Sequence, residues 1–162
     1  MLEEVFGPVI SEYTRRQAIE DGVLVQLSGV GYEGDEWVPQ AVKEAGFRDQ
    51  IDGEGRAVPM SVCMTATSFA KYVTPIEGDG EKLAPCQDAK GRLWDVLWML
   101  RVAIKACREE TDTLYYSLYV VPNVPEDHGT ATPRAKKVRL KSVCGPDDDG
   151  TPCMTIMLPD ED

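Results

Sequence analysis

Gly91-Arg92-Leu93-Trp94-Asp95-Val96-Leu97-Trp98-Met99-Leu100-Arg101-Val102-Ala103-Ile104-Lys105-Ala106-Cys107-Arg108 is a strongly amphipathic run. Leu93, Val96, Leu97, Leu100, Ala103, Ile104 and Cys107 recur at helical spacing, while Arg101, Lys105 and Arg108 share the other side. A helix over 92–108 with one buried face is predicted. Downstream the period falls to two. Leu114, Tyr116, Leu118 and Val120 alternate against Tyr115, Ser117, Tyr119 and Val121. Val138, Leu140, Ser142 and Cys144 alternate in the same way against Lys137, Arg139, Lys141 and Val143. These are half-buried strands. A third strand over 153–158 follows the turn residues 145–152, and 122–133 forms the longer connection.

Upstream, Thr14-Arg15-Arg16-Gln17 has the form of a capping box, predicting a short helix that Gly22 ends. Val23-Leu24-Val25-Gln26-Leu27 reads as a further strand. Residues 38–47 allow a two-turn helix closed by Gly46, and the spacing of Met60, Cys63, Met64, Thr67 and Ala70 predicts a helix over 60–73. Residues 74–91 carry three glycines and two prolines, the composition of a surface loop. The expected fold class is α+β. An antiparallel β-sheet of three or more strands packs against a long amphipathic helix, with one or two further helices. Residues 1–162 form one domain ending in a flexible acidic tail, 159–162.

A chain of 162 residues with 43% hydrophobic and 28% charged content can build a core without staples. Its net charge of −11 disfavours direct binding to nucleic acid or an anionic membrane and favours a basic partner. The acidity is uneven: residues 1–50 carry 10 acids against 4 bases. Five cysteines, Cys63, Cys86, Cys107, Cys144 and Cys153, include no CxxC pair, and His128 is the lone histidine. That pattern fits neither a disulfide framework nor a zinc site. No cofactor is implied. Without a signal-like or membrane-spanning apolar stretch, a reducing cytoplasm is the expected location.

Three segments together resemble an uncharacterised family of short acidic proteins, a domain of unknown function carried on bacterial plasmids and phages. They are Phe6-Gly7-Pro8-Val9-Ile10 with Tyr13-Thr14-Arg15-Arg16-Gln17-Ala18-Ile19-Glu20-Asp21-Gly22-Val23-Leu24-Val25, then 91–101, and Cys144-Gly145-Pro146-Asp147-Asp148-Asp149-Gly150 with Thr155-Ile156-Met157-Leu158-Pro159. The resemblance brings no catalytic residues with it. It implies a mobile-element setting, in which small acidic proteins act against host defence systems.

The candidate sites divide between structural and functional readings. Asp147-Asp148-Asp149-Gly150 lacks the alternating ligands and later glutamate of a calcium loop and reads as a hairpin turn. Tyr13, Thr14, Arg15, Arg16 and Asp21 could form an anion pocket at a helix start, against the simpler reading of a capped helix with solvated arginines. Trp94 and Trp98 project from one helical side, with Arg101 placed for a cation–π contact over Trp98. They serve either core packing or an aromatic hot spot for a partner. His128 has no nucleophile or second carboxylate at defined spacing, and Lys136, Lys137, Arg139 and Lys141 read as guards of a sheet edge.

The function expected from these features is a mobile-element accessory protein that binds and inhibits a host defence protein, by acidic mimicry of nucleic acid of the anti-CRISPR or anti-restriction type. The partner-binding residues expected are Glu3, Glu4, Glu12, Glu20, Asp21, Glu33, Asp35, Glu36, Trp94, Trp98 and Arg101. The alternatives are a small enzyme or ligand-binding protein whose site assembles only in the fold, and a homodimer formed through the Trp94 and Trp98 face.

Overall fold

Residues 13–75, 88–121, 135–148 and 150–162 are described in the computed structural model. Glu3, Glu4, Glu12, Cys86, His128 and Arg134 lie outside them, as does Asp149. Thr14 opens α1 (Arg15–Glu20) with both halves of the capping box. Its hydroxyl accepts from Gln17 N at 3.1 Å, and the Gln17 amide oxygen accepts from Thr14 N at 2.9 Å. Gly22, at φ 77°, turns the chain into β1 (Leu24–Ser28). α2 (Trp37–Glu44) follows a glycine-rich loop, and β2 (Gln50–Ile51) pairs with β3 (Ala57–Val58) as a separate ribbon.

The helix expected over 60–73 is instead a strand and a helix, β4 (Ser61–Thr65) and α3 (Ala66–Tyr72). Residues 61–64 are all buried, so β4 shows none of the alternation that marks a half-exposed strand. Thr65 ends the strand and caps the helix, its hydroxyl accepting from Ser68 N. The long helix α4 (Ala89–Ala106) begins at Asp88, whose carboxylate accepts from Gly91 N at 2.6 Å. It therefore starts three residues before the predicted boundary.

β5 (Thr113–Val120), β6 (Lys136–Pro146) and β7 (Pro152–Met157) form the antiparallel meander, but the sheet is mixed. Its order is β1-β4-β7-β6-β5, and β4 pairs with β7 in parallel. β6 is flanked on both sides only from Lys141 onward, so the edge-guard reading fails for the buried Lys141, whereas Lys136, Lys137 and Arg139 pair with β5 alone and keep an edge on the β7 side among the described residues. One face of the sheet carries the core. Leu93, Val96, Leu97 and Leu100 of α4 meet Tyr116, Leu118 and Val120 of β5, with Val38, Ala41 and Val42 of α2 alongside. Tyr116 donates its hydroxyl to the Val96 carbonyl at 3.2 Å, so the one polar atom of that buried ring is satisfied.

At the C-terminus, Glu161 is not a free tail residue. Its carboxylate accepts from Thr65 Oγ1 and Leu158 N, each at 2.7 Å, and its carbonyl accepts from Lys141 Nζ. Among the described residues no helix is long and apolar enough to cross a membrane.

Candidate functional site

The buried stripe of α4 fixes which way its tryptophans point. Trp94 and Trp98 sit about 100° around the helix from Leu93 and Leu97, so they leave the core and face solvent. Their rings stack with centroids 5.3 Å apart and planes 8° from parallel, yet stay 37% and 41% exposed. Core packing therefore does not account for them. Beside Trp94 a shallow groove of about 400 Å³ runs between α2 and α4, lined by Ala41, Glu44, Asp88, Lys90, Gly91 and Asp95. Partial burial raises the Asp95 pKa above the usual carboxylate value. A cation placed there would recover what that carboxylate lost on desolvation.

Arg101 does not lie over Trp98 among the cation–π contacts of the described residues. Its guanidinium stem packs on Gly46, where a Cβ would stand 3.0 Å from Nε. A cation at the C-terminal end of α2 complements the helix dipole. Gly46 leaves room for it.

The acidic positions fall in two groups. Glu33, Asp35 and Glu36 are exposed in the loop before α2, and Glu36, Gln40 and Glu44 follow one row along that helix, leading to the tryptophan groove. Glu20 and Glu33 line another groove with Arg16, Tyr32 and Val38. There Glu20 pairs with Arg16 at 3.6 Å, and Asp21 accepts from the Tyr13 hydroxyl at 2.9 Å.

The anion pocket imagined at the start of α1 exists, and the protein fills it. Asp148, from the β6–β7 turn, accepts from Arg15 N at 3.0 Å and Arg16 N at 3.1 Å. Arg15 is not solvated either: Nη1 donates to Thr155 Oγ1 at 2.5 Å and Nη2 to the Met154 carbonyl at 2.8 Å. Its Nε is buried without a partner. This contact ties α1 to the β6–β7 hairpin, a join no local pattern announces.

Near Arg15 lie two buried free thiols, Cys63 and Cys153. Burial pushes Cys63 up to about 11, with the Arg15 charge opposing the shift. The folded state thus holds the Cys63 proton more tightly than the unfolded chain, and stability from this group is present below about pH 9 and lost as pH rises through 11. Urea midpoints measured between pH 8 and pH 11 should decline, with Cys63 responsible for up to about 2–3 kcal/mol. Cys63→Ala should flatten the part of the slope that begins near pH 9. An unchanged slope in that variant would assign the decline to other groups such as Tyr116, also raised by burial.

No cluster of three or more His, Cys, Asp or Glu able to hold a metal occurs among the described residues. A concavity among the described residues, lined by Glu109, Glu110, Asp112, Cys144 and Pro152 among others, is a wide, open surface. Compared with family models, with curated proteins and with solved structures, the chain shows no match.

Proposed function

We propose that this chain works by binding a basic segment of a partner protein along α2 and the outer side of α4. The observation that carries the reading is the stacked, solvent-facing Trp94–Trp98 pair bordered by Asp88, Asp95 and Glu44. Indole faces and carboxylates both attract guanidinium and ammonium groups, and their attraction adds where they adjoin. Glu33, Asp35 and Glu36 extend the negative surface past the groove. A second copy is the weaker occupant, because it would bring two like-charged surfaces together.

In the mobile-element setting implied by the resemblance, the partner is a host defence protein with a nucleic-acid groove. The carboxylates stand in for phosphates, and the indoles anchor the complex. Glu20 and Asp21 contribute less, since Arg16 and Tyr13 already engage them.

A labelled oligoarginine peptide tests the surface by fluorescence anisotropy. Binding should weaken steeply with salt, drop by about thirtyfold in Trp94→Ala/Trp98→Ala, and fall severalfold in Asp95→Asn. Both substitutions lie on exposed positions, so circular dichroism should report an unchanged fold. Salt-independent binding, or binding that survives the double variant, would overturn the proposal.

A further inference from the structure

The sheet face opposite the helices carries a surface of reversed charge. On β5 and β6 the residues of that face are Tyr115, Ser117 and Tyr119, in register with Lys141, Arg139 and Lys137. Towards β7 this face is covered, by Arg15 over Thr155 and by the Glu161 turn that engages Lys141. At its outer part none of the described elements packs over it: Tyr115 is 44% and Tyr119 67% exposed, with Lys137 opposite Tyr119 and Arg139 opposite Ser117, both exposed. The Arg139 guanidinium lies 4.4 Å over the Tyr115 ring, which holds the flat cation in place, while Tyr119 presents the more exposed ring.

We infer that this face binds single-stranded nucleic acid, bases on the Tyr119 ring and the Arg139 plane, phosphates at Lys137 and Arg139. The Arg139 plane sits over Tyr115, four residues along the strand from Tyr119, about 13 Å, so the Tyr119 ring and the Arg139 plane serve different bases. Interleaved rings and cations on an open sheet suit unpaired bases, whereas a duplex hides its base faces and an acidic peptide has no use for the ring planes. The net charge of −11 does not forbid this. At physiological salt the field of a distant carboxylate fades within about 8 Å, and the patch acts locally.

The test is anisotropy of labelled oligothymidylate and oligouridylate, with a duplex of the same length and polyglutamate as competitors. Single strands should bind, and log affinity should fall with log salt at a slope near −1.4, about 0.7 for each of two cations. Tyr119→Ala should weaken binding about tenfold, and Lys137→Glu should weaken it further and reduce the slope. Thermal melts should be unchanged, because both side chains are exposed. Absence of binding at low salt, equal binding of the duplex, equal competition by polyglutamate, or indifference to Tyr119→Ala would each overturn the inference. Trp94→Ala/Trp98→Ala lies on the other side of the sheet and should leave oligonucleotide binding intact, which keeps this test separate from that of the peptide surface.

Discussion

Leu97→Ala is expected to lower the free energy of unfolding by about 3 kcal/mol, within the range of about 2–5 measured for fully buried leucines. Leu97 is 0% exposed and lies in the stripe of α4 that meets the sheet. Truncation removes the transfer energy of its methyl groups and leaves a cavity, because Leu93, Val96 and Leu100 on the same rigid helix cannot close over it. For a domain whose whole margin is about 5–15 kcal/mol, the urea midpoint should move far. Trp98→Ala, one residue along, should cost under about 1 kcal/mol despite deleting a larger side chain, since the indole is already 41% exposed. Equal losses at the two positions would show that the indoles belong to the core. The expected contrast would leave the aromatic pair contributing little to stability, as the proposed partner binding requires.

The orientation of α4 was legible in the residues themselves. Leu93, Val96, Leu97 and Leu100 define a stripe, and Trp94 and Trp98 fall off it by one helical step, although their large apolar area also admitted a reading as core. The capping box at Thr14 and Gln17 and the β5–β6–β7 meander were legible too, because each rests on neighbours in the chain. β4 was not. A central strand buried on both faces has no period to read, and Ser61-Val62-Cys63-Met64-Thr65 flows into α3 without a breaker. Its parallel pairing with β7 joins segments about ninety residues apart, which no local pattern encodes. Of the acids of the tryptophan groove, Asp95 was legible beside Trp94 and Trp98, whereas Glu44 and Asp88 were missed. Glu44 joins them only when α2 packs against α4, while Glu33, Asp35 and Glu36 stood out as a cluster in sequence.

Arg15→Met is expected to cost about 2–3 kcal/mol, more than its place in a six-residue helix suggests. Methionine keeps most of the aliphatic stem but leaves Thr155 Oγ1 and the Met154 carbonyl without the two guanidinium bonds they now accept. Arg15→Lys should recover only part of the loss, because one ammonium cannot reproduce the planar two-nitrogen grip. The neighbouring thiol supplies a second readout. Arg15 holds Cys63 below where burial alone would place it, so removing the guanidinium raises the thiol further. Alkylation of Cys63, followed by mass spectrometry in native buffer at alkaline pH, should then slow relative to the unmutated protein if the fold is intact. It should speed up only if local opening dominates. Asp148→Ala separates the two contributions. It removes the carboxylate from Arg15 N and Arg16 N while leaving the guanidinium in place, and should cost about 1 kcal/mol. A loss in Asp148→Ala as large as that in Arg15→Met would move the weight of the join from the guanidinium to the helix amides.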